Sequence, residues 1–107
     1  MKIALDYDKT YTVCPDMWDE FFSLVTSCGH ELKIVTARHA TKDNIDAKVY
    51  GIPVIYCDGV AKQWFCHHVA EWEPDIWIDD KPKGIYENGP LTRQQLAEWR
   101  ASPEYNN

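Results

Sequence analysis

Short apolar runs alternate with longer segments of helical periodicity along this chain. Each run is four or five residues long and apolar almost throughout, which is typical of strands buried on both faces of a parallel sheet. The pattern therefore predicts four strands, at Lys2–Leu5, Leu32–Val35, Pro53–Cys57 and Asp75–Ile78.

The segments between these runs have the spacing of amphipathic helices. The first, Pro15–Cys28, begins with a proline, which suits a first helical turn, and is followed by Gly29, which suits a helix stop. Its apolar side chains recur every three or four residues and predict one buried face. Further helices are predicted at Thr41–Tyr50, at Val60–Trp72 and from Thr92 to about Ala101, followed by a frayed tail over about 102–107.

Alternating strands and helices predict an α/β fold, with a small, mostly parallel sheet of four or five strands and helices on both faces. The 107 residues suffice for one core, and no linker or repeat divides them, so residues 1–107 are predicted to form a single domain. Ligands of such open sheets bind beyond the carboxyl ends of the strands. We therefore expect the chemistry of this chain at its strand ends.

Composition and charge exclude several classes of protein. Five tryptophans and an apolar content of 45% argue against disorder, and a net charge of −6 excludes a generally basic nucleic-acid surface. The chain has neither an apolar stretch long enough to span a bilayer nor the layout of a signal peptide. We expect no membrane partner and a cytoplasmic location, in the host cytoplasm if a phage encodes the chain. No CxxC pair occurs, and buried thiols are predicted for Cys14, Cys28, Cys57 and Cys66.

Polar side chains follow the predicted strands at the points where those strands end. Several carboxylates at one sheet edge repel one another, which a divalent cation relieves, and oxygen ligands suit Mg²⁺. A carboxylate can attack phosphorus, a second can move protons, and a hydroxyl and an ammonium can hold phosphate oxygens, so the set suits phosphoryl transfer. Its members are Asp6, Asp8 and Thr10 after the first strand, Thr36 after the second, Lys62 in the segment after the third, and Asp79 and Asp80 after the fourth.

In this order the set resembles the four motifs of the haloacid dehalogenase superfamily, in its phosphatase branch. The resemblance spans residues 6–80 and implies a Rossmann-like three-layer sandwich and a Mg²⁺-dependent phosphomonoesterase, with Mn²⁺ as a substitute ion. It also implies that the reaction passes through an aspartyl-phosphate intermediate.

The resemblance assigns a role to each matching residue. Asp6 is the nucleophile and a metal ligand, and Asp8 is the general acid and base and offers its backbone carbonyl to the metal. Thr36 and Lys62 hold the phosphoryl group and its charge. Asp79 binds the metal, while Asp80 and Thr10 support the site.

Members of this superfamily usually carry cap insertions, and the short gaps between the motifs here resemble those of small capless members found in bacteria and phages. An open site suits a phosphorylated small molecule or a nucleic-acid end, and a second copy of the chain is one way to cover it. A nucleotide or a nucleic-acid phosphate end is the expected substrate.

Three residues are candidates for substrate contacts. Lys9 departs from the glycine or asparagine that many members carry, and it either adds positive charge beside the site or is only solvated. Arg38 and His39 either contact the substrate or belong to a solvated loop.

Two other folds are disfavoured. A receiver domain carries its lysine after the other motifs, and a nucleotide-binding P-loop needs a glycine-rich loop before its lysine, which the segment CDGVAKQW around Lys62 lacks. The alternative function is a binding or partner-interaction module of the same fold with little or no turnover.

Overall fold

The computed structural model describes residues 1–45, 49, 51–88 and 101. Its centre is a sheet of four parallel strands: β1 (Lys2–Leu5), β2 (Glu31–Thr36), β3 (Val54–Tyr56) and β4 (Ile76–Ile78). The strands lie in the order β3-β2-β1-β4. All four predicted strands are confirmed, with bounds that differ by one residue at most at either end.

Apolar residues of the central strands alternate between two cores. Leu5, Leu32 and Ile34 belong to one cluster, whereas Ala4 and Val35 belong to another. Because successive side chains of a strand point to opposite faces, the two clusters lie on opposite sides of the sheet. The prediction of strands buried on both faces is therefore confirmed for β1 and β2.

The first helix, α1 (Pro15–Ser27), confirms the predicted helix to within one residue. It ends because Gly29 takes a positive φ of 84°, a backbone conformation that glycine adopts without strain. The amides of Gly29 and His30 then donate to the carbonyls of Thr26 and Val25. The helix packs against the first core through Val25, with Trp18, Phe21 and Phe22 partly buried beside it.

The predicted helix Val60–Trp72 is shorter than expected. A helical turn, α2 (Lys62–Phe65), continues as a π-helical segment over Cys66–Ala70 and ends at Glu71, whose φ is 51°. Cys66 of this segment and Trp72 beyond it fill the second core. The segment after β4 contains one more helical turn, α3 (Lys83–Tyr86).

The predicted helix Thr41–Tyr50 is wrong at its start. Residues 41 and 42 belong to a turn, residue 43 is a bend, and most of the remainder lies outside the described residues. Asp43 accepts from the backbone amide of His39, and the His39 ring accepts from the amide of Thr41 at 3.2 Å. Such local bonds from side chain to backbone compete with helix formation. The predicted helix from Thr92 and the frayed tail also lie outside the described residues, except for Ala101.

The prediction of four buried cysteines is half right. Cys57 and Cys66 are buried in the second core, whereas two thiols beside the ends of α1 are exposed, those of Cys14 and Cys28. Within the described part of the chain, none of the helices has the length and apolar character needed to cross a bilayer.

Candidate active site

The candidate site lies where β1 and β4 end side by side. Leu5 pairs with Ile78 in the last register of the two strands, so the next residue of each strand, Asp6 and Asp79, emerges at the same edge. The backbone amide of Asp6 donates to the carbonyl of Ile78 at 2.9 Å, which ties the two strand ends together. Parallel pairing thus brings together two acids that lie far apart in the sequence.

Lys62 joins these two carboxylates. Its Nζ donates to Asp6 Oδ1 at 2.8 Å and to Asp79 Oδ2 at 2.6 Å, and the lysine is only 4% exposed. Burial lowers the pKa of Lys62, but the hydrogen bonds and the charges of the two aspartates outweigh it and leave that pKa raised. The ammonium is therefore charged, and it offsets the repulsion between the two acids.

The pKa of Asp6 differs from that of an ordinary aspartate. Burial raises its pKa to about 6, with smaller contributions in the same direction from Asp80 and Asp79, while Lys62 opposes the shift. The lysine thus favours the ionised form, which is the form that a nucleophile requires.

Thr10 connects the loop after β1 with the loop after β4. Its hydroxyl lies 3.1 Å from Asp6 Oδ2 and 3.4 Å from Asp80 Oδ1, and its single proton can go to either oxygen. The indole Nε1 of Trp18 donates to the Thr10 carbonyl at 3.0 Å. The loop that carries the acids is therefore anchored to α1.

Asp8 has a partner that the sequence did not indicate. Arg38 makes a bidentate contact with Asp8: its Nε donates to Oδ2 at 2.9 Å and its Nη2 donates to Oδ1 at 2.6 Å. This hydrogen bonding holds the pKa of Asp8 below its usual value. The guanidinium also lies 5.0 Å from the centre of the Tyr7 ring. Spacing along the chain predicted neither contact, because Arg38 follows a different strand.

A cleft of about 210 Å³ opens at this edge. The residues that line it include the predicted nucleophile, the predicted general acid and base, the two residues predicted to hold the phosphoryl group, the acidic pair after β4 and one substrate candidate: Asp6, Asp8, Thr36, Lys62, Asp79, Asp80 and Lys9. Thr36 is buried, and its hydroxyl accepts from the amide of Arg38 at 3.2 Å. Lys81, which was not among the predicted site residues, also lines the cleft, directly after the acidic pair.

His39 is not among the residues that line this cleft. Its ring nitrogens contact Thr41 and, at 3.8 Å, Asp58, so it belongs to its own loop. A larger cleft, of about 530 Å³, is lined by Trp64, His68 and Trp77 and contains none of the predicted site residues. Cleft size therefore does not mark the candidate site.

Asp6, Asp79 and Asp80 each offer a carboxylate oxygen within 4.8 Å of the other two. Oxygen donors at this spacing fit a hard cation such as Mg²⁺. The predicted ligand set placed Asp8 in this group through its backbone carbonyl and gave Asp80 a supporting role. The side chain of Asp8 turns to Arg38, and the carboxylate of Asp80 joins the cluster. The role of the Asp8 backbone carbonyl stays a prediction.

Comparison of this chain with protein-family models, with curated proteins and with solved structures finds no match.

Proposed function

We propose that this chain is a Mg²⁺-dependent phosphatase that hydrolyses phosphomonoesters through an aspartyl-phosphate on Asp6. The observation that carries the proposal is the buried Lys62, which bridges Asp6 and Asp79 in a cleft that Asp8 and Thr36 also line. A buried ammonium held by two strand-end acids is costly in a purely structural role.

The fold supports the same proposal. The order β3-β2-β1-β4 has the pattern of the first four strands of a Rossmann-like, doubly wound sheet, in which ligands bind where the strand order reverses. Here that point lies between β1 and β4, next to Asp6 and Asp79. Among the described residues, the segments that could hold a cap are short, which supports a capless, open site.

In the first step a carboxylate oxygen of Asp6 attacks phosphorus, and the bond from phosphorus to the ester oxygen breaks. Thr36 and Lys62 hold the phosphoryl oxygens as their charge redistributes. Asp8 gives its proton to the departing oxygen. In the second step Asp8 takes a proton from water, the water oxygen bonds to phosphorus, and Asp6 is released together with inorganic phosphate.

Mg²⁺, held by Asp6, Asp79 and Asp80, would supply positive charge that orients the phosphate group and neutralises it. Lys62 shares this work, because its ammonium already contacts two of the three acids. The site as a whole then accepts an anion although its carboxylates are concentrated there.

Arg38 sets a condition on this mechanism. Both oxygens of Asp8 are paired with its guanidinium, so Asp8 must leave Arg38 before it can exchange a proton with substrate. An arriving phosphate group offers the guanidinium a second anion. If the pair never separates, the chain is a phosphate-binding or partner-interaction module, and the Arg38–Asp8 pair is the observation that favours this second function.

The test is turnover of an aryl phosphate by the purified chain with Mg²⁺. We expect phosphate release that disappears with a chelator and in Asp6→Asn. The exposed α1 residue Asp16 provides the matched control, and Asp16→Asn is expected to keep full activity. Phosphate release that persists in Asp6→Asn refutes the assignment of Asp6 as the nucleophile. Tight phosphate binding without release in any variant establishes the binding module instead.

A further inference from the structure

Two lysines line the cleft in addition to the buried Lys62. Lys9 follows β1 and Lys81 follows β4, and both are exposed. Throughout residues 1–45 and 51–88 the structure shows no ion pair and no hydrogen bond made by either ammonium group. Lys62 contacts two aspartates and is assigned to the phosphoryl group in the proposed mechanism, so Lys9 and Lys81 are the lysines of the cleft whose ammonium groups have no such role.

The backbone at Lys9 makes this lysine unusual. Its φ is 60°, in the left-handed region that glycine and asparagine adopt more easily than a lysine. The conformation is held by the Lys9 amide, which donates to the Thr12 hydroxyl at 3.0 Å. A long cationic side chain therefore occupies a position where its presence carries a conformational cost, and it lines the cleft.

The two lysines start from loops that are held together. Thr10, next to Lys9, contacts Asp80, next to Lys81, across the strand ends. The amide of Lys81 in turn donates to Asp79 Oδ1 at 2.9 Å. Both side chains therefore emerge from anchored backbone beside the same acids.

Lys9 and Lys81 supply local positive charge in an acidic chain. The chain has a net charge of −6 and repels anions in general, so local cations have to attract an anionic substrate. Lys62 and Thr36 already serve the phosphoryl group that Asp6 attacks. Lys9 and Lys81 are left for negative charge elsewhere on the same molecule.

We propose that Lys9 and Lys81 bind a second phosphate group of the substrate, so that the substrate class is a phosphomonoester that carries another phosphate nearby. This inference rests on the proposed phosphatase function. A free nucleoside bisphosphate and the phosphorylated end of an oligonucleotide, whose next phosphodiester provides the second charge, share this chemistry.

The experiment compares kcat/KM for an adenosine bisphosphate, with its phosphates on different ribose hydroxyls, against the adenosine monophosphates. The wild-type chain is expected to prefer the bisphosphate. Lys9→Gln and Lys81→Gln are each expected to lower the ratio of bisphosphate to monophosphate by about threefold to tenfold, as for a partly exposed charge pair. Lys42→Gln, which removes an exposed lysine from a turn outside the cleft, should leave the ratio unchanged.

Two further variants separate charge from backbone effects at Lys9. Lys9→Gly suits the positive φ but removes the ammonium, and Lys9→Arg keeps the charge. If the lysine binds substrate, the glycine variant loses the preference although its fold is not weakened, and the arginine variant keeps it. Equal ratios in the two variants overturn the role of Lys9.

A dinucleotide with one terminal phosphate distinguishes the two sources of the second charge. Preference for the dinucleotide over the monophosphates supports a nucleic-acid end, and preference for the bisphosphate alone supports a free nucleotide. A wild-type ratio near one, or a ratio that neither glutamine variant lowers, overturns the inference while turnover of aryl phosphate leaves the phosphatase intact. If no substrate turns over, the phosphatase proposal fails. In that case the Kd values of Asp6→Asn for the bisphosphate and for the monophosphates test the second phosphate site without turnover. Tighter binding of the bisphosphate supports the site, and equal Kd values overturn it.

Discussion

Replacing Lys62 with methionine removes one buried ammonium and keeps a side chain of similar length. Asp6 and Asp79 lie 2.8 and 2.6 Å from that ammonium, and both would then be unpaired carboxylates in a buried site. Breaking a buried ion pair by removing one partner costs about 3–5 kcal/mol, because the remaining charge is uncompensated. We expect the free energy of unfolding to fall by about that amount at pH 8 in the presence of a chelator.

Urea unfolding measures this loss. With an m value of about 1–3 kcal/mol/M for a small domain, the midpoint should fall by at least about 1 M with m unchanged. Lys42→Met is the control, because Lys42 lies exposed in a turn, and it should unfold like the wild-type chain. Lys62→Met with Asp79→Asn should recover part of the loss, because the double variant retains one fewer unpaired charge.

The loss should also depend on pH. The pKa of Asp6 is raised to about 6 with Lys62 in place, and it rises further when the ammonium is removed. An acid whose pKa is higher in the folded than in the unfolded chain destabilises the fold as pH rises through the folded pKa. The difference in the free energy of unfolding between the wild-type chain and Lys62→Met should therefore narrow as the pH falls towards 5. A Lys62→Met variant that matches Lys42→Met at pH 8 would refute the interpretation of Lys62 as the compensating charge.

Three further predictions concern other contacts of the site and the core. Thr10→Val should lose about 1–2 kcal/mol of stability and most activity, whereas Thr10→Ser should retain both, since only the hydroxyl contacts the acids; equal losses in the two variants contradict this. Arg38→Ala should raise the pKa of Asp8 towards its usual value in an NMR titration, and an unchanged pKa rules the pair out in solution. The Arg38–Asp8 pair stabilises the fold above the usual pKa of an aspartate, and this stabilisation is lost as the pH falls through the lowered pKa of Asp8. A thiol reagent should modify two cysteines fast and two slowly, because burial protects two thiols and raises the pKa of both, that of Cys66 to about 11; four equal rates contradict the burial. The fast pair is Cys14 and Cys28, and the slow pair is Cys57 and Cys66.

The elements that the sequence predicted well are those whose signals are local. The strand Lys2–Leu5 is apolar over its whole length, and α1 has a proline at one end and a glycine at the other. Such signals depend on the residues of one segment and act before the chain folds. Where the local signal conflicts with side-chain hydrogen bonds, as at Asp43 and His39, the predicted helical start is wrong.

The arrangement of the candidate site was only partly predictable. The sequence placed Asp6, Thr36 and Asp79 at strand ends, because apolar runs end there. It could not show that Arg38 would grip Asp8, since that contact joins loops after two different strands. Nor could it place Lys81 in the cleft beside Lys9.

The sequence by itself determined an α/β chain with parallel strands and a set of acids, hydroxyls and a lysine at the strand ends, because periodicity and strand length are properties of the segments. Tertiary structure alone decided which charges pair. Strand order put β4 beside β1, so that Lys62 meets both Asp6 and Asp79, whereas Asp8 pairs with Arg38. The physical reason is that electrostatic pairing depends on distance in space and on burial, which only the packed sheet establishes.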